Sequence, residues 1–215
     1  APLKDADVTL VAGVNEEQFD PKTHRIISAA SCTSVCAALV TKVLEGKFGI
    51  NRGFLTTVHA FTGDQSLVDS SHRDLRRARA AMESIIPTTT GVTKTIGQLF
   101  PNLAKRLSGI SLRVPVIIPS LLELTLEFKQ TVGAKQINNA LIKASRTNLK
   151  GLLDVSDKPL VSVDYRKNPH GAIIDLLSTD VVDGRLANIV AWYDNEWGYT
   201  SQMVKLLTNL ARKIT

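Results

Sequence analysis

The chain has 215 residues, 44% of them hydrophobic and 21% charged, with 13 Gly and 8 Pro; this is ordinary globular composition and excludes collagen-like, low-complexity and disordered classes. The net charge of +6 is spread among acidic residues, so a solvated surface is expected rather than a nucleic-acid footprint. There is no uninterrupted apolar run of about 18 residues, hence no expected membrane helix. Two cysteines make no disulfide framework and point to a reducing compartment. No initiator Met or signal peptide opens the chain, which reads as processed or as a piece of something longer.

Val8–Ala12, closed by Gly13, reads as a buried strand, and His24–Ala30 as a second. At Ser31-Cys32-Thr33 the period changes. Val35, Leu39, Val40, Val43, Leu44 and Phe48 recur at helical spacing, with Ser31 as N-cap. Phe54–Phe61 alternates as a strand with Leu55, Thr57, His59 and Phe61 on one face. Thr62–Ala81 reads as loop with a helical turn around Leu75, and Ile85–Gly91 as a connection into a helix over Thr93–Leu99. Strands are expected at Ser111–Val116 and Leu121–Phe128, then an amphipathic helix over Lys135–Ser145 with Ile137, Leu141 and Ala144 on its stripe. Further strands are expected at Leu160–Tyr165 and Ala172–Leu177. Asp183-Gly184 is a hairpin signal joining Ser178–Val182 to Ala187–Tyr193. The final segment, Trp197–Ile214, reads as a helix with Val204, Leu207, Leu210 and Ala211 on its buried side. The fold class is α/β, with an α+β catalytic unit: a largely antiparallel mixed sheet with helices packed on one face.

Cys32 sits where a strand hands over to a helix. Converging backbone N–H groups and the helix dipole favour a thiolate there, so its pKa is expected to fall. A buried structural cysteine is the plainer alternative for a lone Cys, but the flanking hydroxyls of Ser31 and Thr33 could face an anion at the same helix end. Cys36, one turn on, reads as a packing residue. Of the four histidines, His59 is the candidate base: in its apolar strand it needs a partner, which Cys32 could supply, or it is a satisfied core histidine. His72 and His170 read as solvated. The cluster Arg73, Arg76, Arg77 and Arg79 is either a solvated face or a phosphate grip. Arg113, inside an apolar run, needs a carboxylate or a bound phosphate. No metal-ligand spacing is present.

Several separated motifs occur together: Ser31-Cys32-Thr33-Ser34-Val35-Cys36, Thr57–Gln65, Asp74–Arg79, Ile86–Gly91, Arg113-Val114-Pro115 and Trp192–Tyr199. In order and spacing the chain resembles phosphorylating glyceraldehyde-3-phosphate dehydrogenase over essentially its whole length, beginning partway into that family's chain. The resemblance implies that Cys32 attacks the aldehyde carbon and that His59 serves as base. It assigns Thr62, Asp64 and Arg113 to the substrate phosphate. It assigns Ser31, Thr33, Arg77, Thr90 and Gly91 to the attacking phosphate, and Asn195 and Tyr199 to the nicotinamide side.

NAD or NADP is the implied cofactor, with its site incomplete here because no GxGxxG is present. Ser70-Ser71, where many NAD-specific members have Leu-Pro, suggests tolerance of NADP through Ser71. The implied partners are a phosphorylated aldehyde and inorganic phosphate, with a homotetramer in the cytoplasm and neither a membrane nor a nucleic acid. Residues 1–31 resemble a remnant of the nucleotide-binding domain, residues 32–194 the catalytic domain, and residues 195–215 a C-terminal helix belonging with the nucleotide domain. The chain alone is expected not to carry out hydride transfer. Three other functional readings are an erythrose-4-phosphate dehydrogenase, separable by substrate, a non-catalytic basic binding module, whose affinity would fall with salt, and a cysteine hydrolase, which fits the Cys–His pair but not the two anion sites.

Overall fold

Helix α1 (Cys32–Phe48) is the central element of the computed structural model, which describes residues 2–214. Ser31 caps it as expected, its Oγ accepting from the Ser34 N–H at 3.2 Å, and Gly49 ends it in a left-handed conformation (φ 68°) that disfavours a side chain. Most of α1 is buried, including Val35, Leu39, Val40 and Leu44. It lies against one face of a seven-stranded sheet made of β3 (Ile50–Ala60), β4 (Ile86–Thr88), β5 (Leu107–Val114), β6 (Ser120–Phe128), β7 (Leu153–Ser156), β8 (Ala172–Val182) and β9 (Leu186–Tyr193), in the order β4-β5-β3-β6-β9-β8-β7. Neighbours are antiparallel except for the β3–β5 and β7–β8 pairs, so the sheet is mixed and largely antiparallel. Helices α2 (Val92–Leu99) and α3 (Ala134–Arg146) pack on the same side as α1.

The alternation read for β3 holds: Leu55, Thr57 and His59 are buried under the helices, while Phe54 on the other face is exposed. On α3, Ile137, Leu141 and Ala144 are the buried stripe. At the β8–β9 hairpin, Asp183 and Gly184 both have positive φ, 49° and 64°, as a type I′ turn requires. A separate small core joins the N-terminal segment to α4 (Trp197–Ala211). Leu10, Ala12 and Phe19 meet Leu206 and Leu210 there, beside a two-stranded parallel sheet of β1 (Val8–Thr9) and β2 (Ile27–Ser28).

Four expectations need correction. Ile85–Gly91, read as a connection, contains strand β4, which pairs with the edge of β5. Leu160–Tyr165 is not a strand: Ser162–Tyr165 forms a 3₁₀ turn, stacking Tyr165 on Trp192 with ring centroids 5.4 Å apart. Ala172–Leu177 and Ser178–Val182 are one strand, β8, with a register irregularity between Asp175 and Asp180. The buried face of α4 is set by Gly198, Gln202, Leu206 and Leu210, whereas Val204 and Leu207 are exposed. Gly198 lies so near the carbonyls of His170 and Asn168 that a Cβ there would meet them at 2.9 and 3.0 Å, and Gln202 donates to Pro169 O at 2.5 Å. A backbone contact and a polar bond, together with Leu206 and Leu210, therefore fix the rotation of α4.

Candidate active site

Strand register brings the key side chains into line. Arg113 on β5 pairs with His59 on β3, and Ser120 at the start of β6 pairs with Tyr193 at the end of β9. The Cys32 thiol, in the first turn of α1, lies 3.5 Å from His59 Nε2. His59 Nδ1 is 2.6 Å from the Ala60 carbonyl, and Arg113 Nη1 lies 2.5 Å from the same nitrogen and 3.1 Å from Ala60 O. Arg113 can only donate, so its contact with Nδ1 favours the tautomer with the proton on Nε2, whereas the Ala60 carbonyl favours the proton on Nδ1. In the second arrangement Nε2 is free to accept the thiol proton.

Burial pushes the Cys32 thiol above its ordinary value, and the Thr33 hydroxyl, backbone N–H groups and the Arg113 charge offset this only in part. The expected depression of its pKa is therefore not what the structure gives, because desolvation of the charged form outweighs the helix mouth. His59 is lowered to about 4, by burial first and the Arg113 charge second. Burial thus disfavours the charged form of both partners. Cys36 is fully buried and its thiol is pushed higher still, in keeping with a packing role.

Around this pair, Thr33 Oγ1 and the buried Tyr193 hydroxyl are 2.7 Å apart, and the Tyr193 ring meets the His59 imidazole edge-on at 6.1 Å. Tyr199 OH donates to Ala30 O at 3.1 Å, immediately before the α1 cap. Ser120 Oγ accepts from the Ala60 N–H at 3.1 Å and donates to Asn195 Oδ1 at 3.0 Å. Asp194 accepts from the N–H groups of Lys167, Glu196 and Trp197, which pins the start of α4.

The anion-binding candidates divide. Arg113 has a buried Nε with no partner. Arg77 is engaged by two carboxylates, Asp64 and, at 3.2 Å, Asp74, so Asp64 and Arg77, assigned above to different phosphates, touch one another. Thr62 bonds Gln65 Oε1 at 3.2 Å. Thr90 Oγ1 accepts from the Val92 N–H at 3.3 Å and the Gly91 carbonyl accepts from Thr95, so both serve the first turn of α2. Ser31 bonds Ser34. Ser71 is exposed on the arginine-bearing loop. His72 and His170 are not simply solvated: His72 Nδ1 accepts from the Asp74 N–H at 2.9 Å, and His170 is half-buried against Asn168, with its pKa lowered by that burial. Among the described residues there is no cluster that could hold a metal ion, and no helix is long and apolar enough to cross a membrane.

Tyr193 and Ser120 carry no role in the sequence reading. The alternation of Ala187, Ile189, Ala191 and Tyr193, all buried, places Tyr193 on the helix side of β9. Nothing local distinguishes Ser120, whose bonds come from distant segments.

A thiol in the first turn of a helix faces an imidazole whose far side meets a half-buried guanidinium, an arrangement of the cysteine–histidine pair class. Residues 31–195 match the family model described as glyceraldehyde 3-phosphate dehydrogenase, C-terminal domain, and the chain belongs to that family. It is 52% identical over 214 residues to glyceraldehyde-3-phosphate dehydrogenase 2 of Bacillus subtilis, covering 100% of this chain and 63% of that protein. It is 48% identical to the glyceraldehyde-3-phosphate dehydrogenase of Geobacillus stearothermophilus, covering 99% and 64%, and 47% identical to that of Mycobacterium avium, covering 100% and 62%. The chain therefore spans just under two thirds of the length of these curated relatives.

Proposed function

We propose that this chain is the catalytic portion of an oxidoreductase that converts glyceraldehyde 3-phosphate, a nicotinamide dinucleotide and inorganic phosphate to an acyl phosphate. The observation that carries the reading is the 3.5 Å approach of Cys32 Sγ to His59 Nε2, with Arg113 on the far side of the ring. His59 takes the thiol proton as sulfur attacks the aldehyde carbon, returns it to the new alkoxide to give a thiohemiacetal, and, again neutral, is placed to take the proton of that hydroxyl. A nicotinamide cofactor, when bound, supplies the hydride acceptor. The donor set fits its ring end: Asn195, held through its Oδ1, has its Nδ2 left to meet a carboxamide, and Tyr199 closes the wall behind Cys32. Loss of the hydroxyl proton to His59 and of hydride to such an acceptor would leave a thioester on Cys32; inorganic phosphate would open it to the acyl phosphate, the sulfur leaving as thiolate and recovering its proton from His59.

Arg113, with an unpaired Nε, takes the substrate phosphate together with Thr62 and Asp64. Ser31, Thr33, Arg77, Thr90 and Gly91 surround the attacking phosphate. The chain has no Gly-rich phosphate loop, so the adenosine end would be held elsewhere in the natural polypeptide. The small core uniting residues 8–29 with α4 supports assigning both flanks to that nucleotide domain. Exposed Leu67, Val68, Leu75 and Ile85 on the arginine-bearing loop support a homotetramer. The composition supports a cytoplasmic location, and exposed Ser71 supports use of NADP as well as NAD.

The test is cofactor reduction by the natural polypeptide that carries this chain. Turnover is expected to need phosphate, to vanish in Cys32→Ser, and to fall about 10²–10⁴-fold in His59→Asn. Turnover that survives loss of Cys32, or that ignores phosphate, refutes the reading.

A further inference from the structure

Ser120 bridges two parts of the site. It is 1% exposed, at the first position of β6. Its Oγ accepts from the Ala60 N–H at 3.1 Å and donates to Asn195 Oδ1 at 3.0 Å, and it lies in hydrogen-bonding reach of the Tyr193 hydroxyl. A serine hydroxyl has one proton to give. Two acceptors stand near that proton; the Tyr193 hydroxyl is held by Thr33 at 2.7 Å, and the bond formed is to the Asn195 carbonyl oxygen at 3.0 Å. A side-chain amide held by its oxygen can present only its NH₂ end elsewhere. Ala60, whose N–H sits on the same Oγ, also carries the carbonyl that contacts both His59 and Arg113, so one oxygen helps fix the end of the base-bearing strand and the way round of Asn195.

We propose that Ser120 is a positioning residue. It locks the Asn195 amide with Nδ2 toward the open side of the site, where it donates to the carbonyl oxygen of the cofactor's carboxamide. This rests on the function proposed above, and specifically on Asn195 meeting the nicotinamide end. Without the serine proton the amide can turn, offering an acceptor where a donor is needed. Loss of one such bond corresponds to about 3- to 10-fold in affinity.

The experiment uses the natural polypeptide that carries this chain. NAD binding is read directly by quenching of tryptophan fluorescence, and Cys32 acetylation by p-nitrophenyl acetate, which needs no cofactor, is followed in parallel. Ser120→Ala is expected to raise the Kd for NAD about 3- to 10-fold while slowing acetylation by a smaller factor. Ser120→Thr, which keeps the hydroxyl, recovers most of the affinity. The double variant Ser120→Ala/Asn195→Ala binds within about twofold of Asn195→Ala alone, because the serine acts through the amide.

Should Ser120→Ala not fold, Ser120→Cys, a weaker donor of similar size, is judged by the same standard. Multiplying losses in the double variant, or unchanged NAD affinity in a folded Ser120→Ala, overturn the proposal and leave the parent function standing. A wild-type polypeptide that binds no nicotinamide cofactor overturns both.

Discussion

His59 offers a direct test of whether the thiol–imidazole pair rests uncharged. Its pKa is about 4 in the folded protein against an ordinary 6.5, because burial penalises the imidazolium and Arg113 repels it. Above pH 6.5 neither the folded nor the unfolded state carries this proton, and His59 contributes no pH dependence. As pH falls from 6.5 toward 4, the unfolded chain takes up the proton and the folded one does not. Stability is therefore lost at about 1.4 kcal/mol per pH unit, about 3 kcal/mol in all.

Between pH 7.5 and 4.5 the loss is about 2.5 kcal/mol, which for a urea m-value of about 2–3 kcal/mol/M moves the midpoint by about 1 M. Surface carboxylates whose pKa values backbone N–H groups lower, such as Asp7 and Asp69, add their own acid sensitivity. They are common to the wild-type chain and His59→Asn, so the difference of differences isolates His59. His59→Asn should keep its urea midpoint at pH 4.5 about 1 M closer to its pH 7.5 value than the wild type does. Equal acid sensitivity in the two chains would refute an uncharged buried imidazole.

Three further outcomes follow from the same geometry. Cys32 alkylation by iodoacetamide should rise with pH through an apparent pKa above that of an ordinary thiol, more slowly still in Arg113→Met, while Cys36 stays unlabelled until the chain unfolds; a labelling plateau at neutral pH would contradict the raised thiol. Tyr193→Phe removes the 2.7 Å bond to Thr33 and should lower Tm by about 2–4 °C, for about 1 kcal/mol, read by calorimetry. In the natural polypeptide, Ser71→Pro should reduce kcat/KM with NADP more than with NAD, and an unchanged ratio removes Ser71 from cofactor choice.

What could be read from the sequence depended on whether the signal was local. Ser31 as cap, the strand–helix handover at Cys32 and the buried alternation ending at His59 are all written in neighbouring residues, and the structure places them so. The motif order carried the family. Strands β4 and β7 are too short to show a period, and each exists because a longer neighbour offers it an edge. The face of α4 was misjudged because Val204 and Leu207 are apolar at helical spacing, while Gly198 and Gln202, whose contacts are backbone carbonyls, leave no hydropathy signal. The direction of the Cys32 pKa shift was not legible for a similar reason: a helix mouth is visible in sequence, but the desolvation that opposes it belongs to the assembled site.

The charge balance of the site leads to a last prediction. Arg77 has two carboxylates, Asp64 and Asp74, whereas Arg113 is paired with no carboxylate, keeps an unpaired buried Nε and sits against the base. A half-buried cation with no carboxylate partner among the described residues can take an anion. If phosphate sits on Arg113, the charge that depresses His59 is screened, and the imidazole becomes a better proton acceptor when a phosphorylated substrate is in place. His59 should therefore titrate near 4 in the free chain and measurably higher in saturating inorganic phosphate, read from ring carbon shifts in NMR. Arg113→Met should start higher and lose most of the response, because the repelling charge is already gone. An identical His59 titration with and without phosphate, or a phosphate response undiminished in Arg113→Met, would sever the link between anion binding and the base.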